Sequence, residues 1–328
     1  MSPAHSSIVS FHFRGRGRRA TNRGMSSPTP ATSAATGTAA APSPASPLAG
    51  VVALDRYPLH DPDSADYREI VARARTDIDA LGCSVIPGFF TPDALARLQG
   101  EARTLAPRAY VNDIVNNAYS TQKDPNLPDD HPVNILMERS NAFVPKASIP
   151  EQSGVRTLYQ AEPFKRFVAD CMSEELVFEY ADPFAGLVLN VLYPGRQHPW
   201  HYDTNEFIVS TLLQPADDGG LFEYCPGIRS PGSENYDQVG QVIRGEERAP
   251  VRVLDLRPGD LQLFKGRYAL HRVTRALGGR ERISAIFAYA KQPGVIGKVE
   301  RTRQLFGRVS EEHTAAQSQQ VRDDGLTD

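Results

Sequence analysis

The sequence predicts a mostly β fold with flanking helices, built around a double-stranded β-helix core of the jelly-roll, cupin-like type. Between residues 176 and 290, eight short runs rich in Val, Leu, Ile and aromatic residues are separated by turn-forming groups such as Pro-Gly and Gly-Gly. This number of short strands fits an eight-stranded jelly roll. Helical periodicity precedes the runs and no repeat period appears, so we predict one domain over about 52–310 with its jelly-roll core at about 175–290.

Two helices open the predicted domain. Residues 64–82 place apolar side chains at helical spacing, with Ser64 as the candidate N-terminal cap and Gly82 as the stop. A second helix is predicted to begin after Thr91 and to end near Leu105. Threonine caps helices well, and proline, which follows it, is tolerated at the first helical position.

A third helix is predicted over residues 162–172, where the apolar side chains lie on one stripe. The preceding residues 106–160 are rich in Asn, Pro and Asp and have weak periodicity, so we expect loops there, including a candidate lid. After the third helix the pattern changes to β-rich runs. The predicted strands are LVFEYA, GLVLNVLY, FIVSTLLQ, LFEYC, VRVLDL, LQLF, YALHRV and RISAIFAYA.

The two ends of the chain differ in composition from the centre. Residues 1–50 contain five arginines and no acidic residue, and 22 of the 26 residues 25–50 are Ala, Ser, Thr or Pro. Such a composition buries too little apolar surface to order a chain, so we expect disorder. The Arg-rich stretch is either a targeting or nucleic-acid element or, as we prefer, a translated leader before a start at Met25. Residues 311–328 are expected to form a frayed polar tail.

Composition excludes several classes of protein. The chain has 36 basic and 39 acidic residues; after residue 50 the numbers are 31 and 39, which does not favour a nucleic-acid partner. No apolar run approaches the length of a membrane span, and no signal peptide is recognisable. The three cysteines form no CxxC motif, so neither a disulfide framework nor a zinc knuckle is indicated. We expect a cytoplasmic protein that acts on a small molecule, with neither membrane nor nucleic acid as partner.

A metal site is indicated by three residues. His201 and Asp203 lie two apart in WHYD, so on a strand or at its end both side chains project to the same side. His271 lies 68 residues after Asp203 in a predicted strand and can supply a third ligand. Two imidazoles and one carboxylate on one face leave open positions for substrate oxygens and dioxygen, which suits non-haem Fe(II).

A carboxylate-binding position follows the third ligand. Arg282 begins the last predicted strand, and Ser284 shares its face because side chains alternate along a strand. A guanidinium there can hold a carboxylate through a bidentate pair, and the hydroxyl adds a donor. Taken alone, each of these residues is more often a solvated side chain, or one with a structural hydrogen bond, than part of a functional site. The ordered set, laid over eight predicted strands, favours a metal site.

With these residues the sequence resembles the Fe(II)- and 2-oxoglutarate-dependent oxygenases of the double-stranded β-helix fold. The resemblance implies that His201, Asp203 and His271 hold Fe(II), and that 2-oxoglutarate chelates the iron while Arg282 and Ser284 hold its distal carboxylate. Dioxygen is the implied co-substrate. More narrowly, HPWHYDTNEFIVSTLLQ and GGLFEYCPGIR are similar to the hydroxylase relatives of the free-amino-acid radical halogenases, over about residues 65–300.

One departure from the halogenases bears on the reaction. Those relatives have Gly or Ala where this chain has Asp203, which leaves them a coordination position for chloride. The resemblance therefore implies hydroxylation of an unactivated C–H bond in a small amino-acid-like or natural-product substrate, with release of succinate and CO2. The alternatives are a cupin-type metal enzyme that does not use 2-oxoglutarate, or an oxygenase that performs desaturation or cyclisation.

Candidates for substrate contact are less clearly indicated. His198 occupies a position that contacts substrate in amino-acid-modifying relatives, or is simply a loop histidine. Arg139 either meets a substrate carboxylate or, as the type usually does, lies in solvent. Thr204 replaces an acidic residue that some relatives use for a substrate amine, which argues against a basic amino acid. Asn190 and Tyr193 are candidates for 2-oxoglutarate, and strand parity allows at most one of them inside.

Overall fold

A computed structural model of the chain describes residues 47–319 and 324–327. The disorder expected of residues 1–50 falls almost wholly outside these ranges and stays a prediction. Within them, no helix is both long and apolar enough to cross a membrane. The α-helices are α1 (Ala65–Leu81), α2 (Pro92–Leu105), α3 (Gly154–Gln160), α4 (Glu162–Met172), α5 (Tyr236–Arg244), α6 (Val299–Phe306) and α7 (Glu311–Ala315).

The strands form two main sheets and three short pairs. They are β1 (Cys83–Ile86), β2 (Tyr110–Val111), β3 (Ile114–Asn116), β4 (Met137–Arg139), β5 (Ala142–Pro145), β6 (Phe178–Glu179), β7 (Leu187–Leu192), β8 (His198–His201), β9 (Ile208–Gln214), β10 (Asp218–Gly219), β11 (Phe222–Cys225), β12 (Arg252–Leu254), β13 (Leu261–Phe264), β14 (Leu270–Val273), β15 (Ala276–Leu277), β16 (Arg282–Phe287) and β17 (Tyr289–Ala290). The larger sheet has the order β1-β13-β9-β16-β7-β5-β2, and the smaller has the order β12-β11-β14-β8. The short pairs are β10-β15, β17-β6 and β3-β4.

The two main sheets pack face to face. Phe264 of the larger sheet shares an apolar cluster with Tyr224 of the smaller sheet, and Leu192 of β7 shares another with Val273 of β14. From β7 onward the larger sheet takes β7, β9, β13 and β16 and the smaller sheet takes β8, β11, β12 and β14, with antiparallel pairing throughout. This arrangement is a double-stranded β-helix, so the predicted fold class is confirmed.

The largest apolar core lies between the outer face of the larger sheet and the N-terminal helices. Ile283, Ala285 and Phe287 alternate along β16 and belong to this core. Phe164 of α4 meets the ring of Phe287 edge-on, with centroids 5.8 Å apart. Burial of a side chain of this size contributes about 1.5–3 kcal/mol. Since the odd-numbered residues of β16 face the helices, the even-numbered ones face the space between the sheets.

The ends of the first two helices follow the predicted signals. The Ser64 side chain accepts a hydrogen bond from the backbone N–H of Tyr67, and Gly82 ends α1 in the left-handed region with φ of 72°. The Thr91 hydroxyl accepts from the backbone N–H of Ala94 at the start of α2. These caps satisfy backbone groups that a helix leaves without partners.

The expectation of loops throughout residues 106–160 is wrong in part. β3 and β4 pair as a hairpin, β2 and β5 extend one edge of the larger sheet, and α3 follows. Each of these strands has two to four residues. Their pairing is determined by neighbours distant in sequence, so the local pattern does not reveal them. Loop structure remains at 117–136.

Other elements also depart from the prediction. α5 and α6 were not predicted, β8 was foreseen only as a strand or strand end around His201, and only Phe178–Glu179 of the run LVFEYA is a strand. α5 contains Gly240, which lowers helix propensity, and is stabilised by Val239 and Val242 in the core of the smaller sheet. The frayed tail expected at 311–328 is wrong for α7, since that helix holds the fully buried His313.

Candidate metal centre

The three predicted metal ligands come together at the end of the smaller sheet. His201 of β8 lies directly opposite His271 of β14 in the strand register, and Asp203 follows the end of β8. Ligand atoms of the three residues all lie within 4.8 Å of one another. Oδ2 of Asp203 is 3.4 Å from Nε2 of His271, and Oδ1 is 4.0 Å from Nε2 of His201.

Hydrogen bonds to the backbone orient both imidazoles so that Nε2 of each ring faces Asp203. Nδ1 of His201 donates to the carbonyl of Pro199 at 2.8 Å, and Nδ1 of His271 donates to the carbonyl of Ala269 at 2.9 Å. Because a carbonyl only accepts, Nδ1 of each ring carries a proton, and Nε2 is the nitrogen available to a metal. Burial, together with the neighbouring His271, holds the pKa of His201 well below its usual value. This donor set fits Fe(II).

His198 lies beside the ligands because β8 contains a bulge. Along β8, His198 and His201 are three residues apart, whereas their partners Val273 and His271 on β14 are two apart. The rings of His198 and His201 stack with centroids 3.6 Å apart. His198 is only 8% exposed, and its Nε2 has no hydrogen-bond partner among the described residues. Its interpretation as a loop histidine is therefore wrong.

Arg282 and Ser284 form a buried cationic pocket on the inner face of the larger sheet. Nη1 of Arg282 donates to Oγ of Ser284 at 2.8 Å, and the arginine is 5% exposed. Within the described ranges no carboxylate lies within 4.0 Å of its guanidinium. Burial lowers the pKa of Arg282 to about 10, so it stays charged at neutral pH. A buried cation of this kind needs an anionic partner, and a ligand carboxylate fits that need.

A chain of hydrogen bonds leads from Asn190, the neighbour of Ser284 across the sheet, to a second buried arginine. Asn190 of β7 lies opposite Ser284 and accepts from Nδ2 of Asn141 at 3.2 Å. The amide oxygen of Asn141 accepts from Nε of Arg139 at 3.0 Å. Arg139 is 5% exposed, so its interpretation as a solvated residue is wrong. Burial, followed by the charge of Arg301, holds its pKa well below the ordinary value.

The other sequence candidates have structural contacts. Tyr193 lies on the outer side, where its hydroxyl donates to the carbonyl of Ala106 at 2.6 Å, so Asn190 is the inner one of that pair. Thr204 is half-buried in the loop after Asp203, and its carbonyl accepts from Nη1 of Arg267 at 3.4 Å.

Sequence reasoning missed several residues around the site. The ring of Phe264 packs edge-on against His271, with centroids 4.8 Å apart. A Cβ on Gly220 would lie 3.0 Å from Cδ of Arg282, so this glycine lets the backbone approach the arginine. Asn141 completes the chain to Arg139. Gly220 and Asn141 can be found in the sequence, but no local pattern there indicates which distant side chains they contact.

Two imidazoles and one carboxylate at the end of a double-stranded β-helix are the ligand set typical of non-haem Fe(II) oxygenases. The fold and site thus agree with the class that the resemblance implied, since both suit a non-haem Fe(II) enzyme. A family model described as Halogenase D matches residues 67–304, and the chain belongs to that family.

Several solved structures are similar at low identity. AviO1 from Streptomyces viridochromogenes Tue57 is 19% identical with a TM-score of 0.48, over 68% of this chain and 96% of AviO1. A 2OG-Fe(II) oxygenase family oxidoreductase from Burkholderia pseudomallei is 17% identical with a TM-score of 0.45, over 69% and 92% of the two chains. EctD from S. alaskensis, solved with 2-oxoglutarate and 5-hydroxyectoine, is 20% identical with a TM-score of 0.43, over 66% and 75%. No curated protein matches the chain.

Proposed function

We propose that the protein is an Fe(II)- and 2-oxoglutarate-dependent dioxygenase that hydroxylates an unactivated C–H bond of a small amino-acid-like or natural-product substrate. One observation carries the proposal. The fold that brings two histidines and a carboxylate together also buries Arg282 without a carboxylate partner in the described part of the chain. The first group suits iron, and the second suits the distal carboxylate of 2-oxoglutarate.

The protein residues bind and orient the reactants. His201, Asp203 and His271 would hold the metal, while Arg282 and Ser284 would hold the distal carboxylate. Asn190, next to Ser284 across the sheet, is a further candidate contact for 2-oxoglutarate. When bound, Fe(II), 2-oxoglutarate and O2 supply the oxidising chemistry: one oxygen atom enters the C–H bond, and the other enters succinate as CO2 leaves.

Substrate is proposed to bind on the side of His198 and Arg139. The buried guanidinium of Arg139 has no carboxylate within 4.0 Å among the described residues, which supports pairing with a substrate carboxylate. Burial holds the pKa of His198 well below its usual value, so its neutral ring can exchange one hydrogen bond with substrate through Nε2. Thr204, after the carboxylate ligand, is a third candidate contact.

Asp203 favours hydroxylation over halogenation. The carboxylate sits where the halogenase relatives have Gly or Ala, and its oxygens lie close to Nε2 of both histidines. A carboxylate ligand there would take the coordination position that a halide needs. We further propose a cytoplasmic location, which the three buried free cysteines support, because thiols persist in a reducing compartment.

The first test is an anaerobic titration of the protein with Fe(II) and then 2-oxoglutarate. A weak visible charge-transfer band of the iron chelate is expected for the natural protein, and it is expected to be lost in His271→Ala. His60→Ala, which removes an exposed histidine outside the site, serves as a matched control. Iron binding without a band would overturn the use of 2-oxoglutarate and favour the cupin-type alternative.

The second test identifies the reaction. The loaded protein is exposed to oxygen with a panel of amino acids and chloride, and products are weighed by mass spectrometry. A product heavier by one oxygen atom, formed together with succinate, supports hydroxylation. A product in which chlorine replaces hydrogen, or one that has lost two hydrogens, would overturn hydroxylation while keeping the oxygenase class.

A further inference from the structure

Gly266 lies against the carboxylate ligand with no room for a side chain. A Cβ built on Gly266 would lie 1.8 Å from Oδ2 of Asp203, 2.7 Å from its Cγ and 3.0 Å from its Cβ. These separations are far below van der Waals contact. The φ angle of Gly266 is outside the left-handed region, so space rather than backbone conformation demands glycine here.

The same residue also holds the backbone of the ligand. The carbonyl of Gly266 accepts the N–H of Asp203 at 3.2 Å. The next residue, Arg267, donates from Nη1 to the carbonyl of Thr204 at 3.4 Å. The segment between β13 and β14 therefore contacts two consecutive residues after β8 through both backbone and side chain.

The segment is itself firmly anchored. The carbonyl of Arg267 accepts from Nε of Arg229 at 2.7 Å. The side chain of Arg229 is completely buried, pairs with Glu234 at 3.0 Å and lies 3.7 Å above the ring of Tyr202. Tyr202 stands between the two ligands of the HxD motif. A side chain added at 266 would thus displace the carboxylate rather than push the segment away.

We infer that Gly266 is a positioning residue that places the Asp203 carboxylate at the metal and so makes the centre a three-ligand one. The inference rests on the metal centre of the proposed function. It goes beyond that function because it makes a residue that binds neither metal nor substrate responsible for the position of a metal ligand. The Asp203 carboxylate fills the space that a side chain at residue 266 would need. A larger residue at 266 is therefore compatible with metal binding only through the two histidines.

The inference is tested by the affinity of the full, metal-stripped chain for Co(II), without 2-oxoglutarate or oxygen. Binding and the visible Co(II) spectrum are measured for the natural protein, Gly266→Ala, Asp203→Gly and the double variant. Gly266→Ala is expected to weaken Co(II) binding about 10- to 100-fold, as loss of ligand support does. In the Asp203→Gly background the same substitution is expected to change nothing, because no carboxylate remains to be displaced.

Matched controls separate positioning from general damage. Gly100→Ala in α2, where an added Cβ meets nothing within 4 Å, is expected to leave Co(II) binding unchanged. If Gly266→Ala fails to fold, Asp203→Gly is expected to restore folding by vacating the space, which thermal unfolding of the metal-free chains measures. Equal weakening in both backgrounds, unchanged binding in Gly266→Ala, or no restored folding would overturn the inference. No Co(II) binding by the natural protein would overturn the metal centre itself.

Discussion

The rings of His198 and His201 stack face to face with centroids 3.6 Å apart, although the two residues are three positions apart in one strand. In a regular strand such residues project to opposite faces. The bulge in β8 lies between these two residues and reverses the parity, and the carbonyl of Pro199 within it accepts from Nδ1 of His201. One irregularity therefore orients a candidate metal ligand and brings a second buried imidazole next to it.

Replacement of His198 by Leu is expected to separate substrate binding from metal binding. The nitrogen lost is the Nε2 that has no partner in the described part of the chain. Loss of one hydrogen bond to a charged substrate costs about 1.5–3 kcal/mol, so kcat/KM should fall about 10- to 100-fold. The 2-oxoglutarate charge-transfer band should stay. Steady-state kinetics with the substrate found in the panel checks this, and an unchanged kcat/KM would exclude contact with substrate.

Replacement of Arg282 by Gln is expected to raise the concentration of 2-oxoglutarate that the protein requires. The variant keeps a polar side chain beside Ser284 but loses the charge and the bidentate geometry. The half-saturating concentration of 2-oxoglutarate, read from the band or from succinate formation, should rise about 10- to 100-fold. Arg280→Gln is the control, since that arginine is half-exposed and pairs with Asp217 at the surface. Equal effects of the two variants would contradict a cosubstrate role for Arg282.

Local signals were sufficient for part of the fold and site. Ser64, Gly82 and Thr91 act through neighbours within a few residues, so the ends of α1 and α2 are readable from the sequence. All eight predicted β-rich runs contain a strand, because their composition and turn signals are also local. The HxD pair was predictable because its two residues share one strand end.

Features that depend on distant neighbours could not be read in this way. The bulge in β8 is fixed by its pairing with β14, so His198 could not be placed from parity. Arg139 is of a type usually solvated, and only the packing of β4 and β5 against β7 and β8 buries it. Gly266 is one of 25 glycines, and its contact with Asp203 exists only in three dimensions.

Glu223 is expected to make stability depend on acid pH. Burial raises its pKa, but Nη2 of Arg248 at 2.9 Å and Nε of Arg272 at 2.6 Å outweigh burial and lower the pKa overall. A carboxyl whose pKa is lower in the folded state stabilises the fold above its unfolded pKa of about 4.3. That contribution is lost as the pH falls through the folded value.

Glu223→Gln should therefore be less stable than the natural protein at neutral pH, and the difference should shrink below about pH 4. Urea unfolding of the metal-free chains at a series of pH values measures this. Glu246→Gln, which removes an exposed pair with Arg244, is the control and should change little. A difference that stays constant across the pH range would contradict the assigned role of the carboxylate.

Glu234→Gln is expected to destabilise the region behind the metal ligands. Glu234 pairs at 3.0 Å with the fully buried side chain of Arg229, which stacks on Tyr202 between the two ligands of the HxD motif. Removal of one partner leaves a buried charge, at a cost of about 3–5 kcal/mol in the free energy of unfolding. Chemical denaturation measures the loss. Glu138→Gln, which breaks a surface pair with Arg275, should cost less than about 1 kcal/mol. Similar losses of unfolding free energy in the two variants would show that burial does not strengthen the ion pair between Arg229 and Glu234.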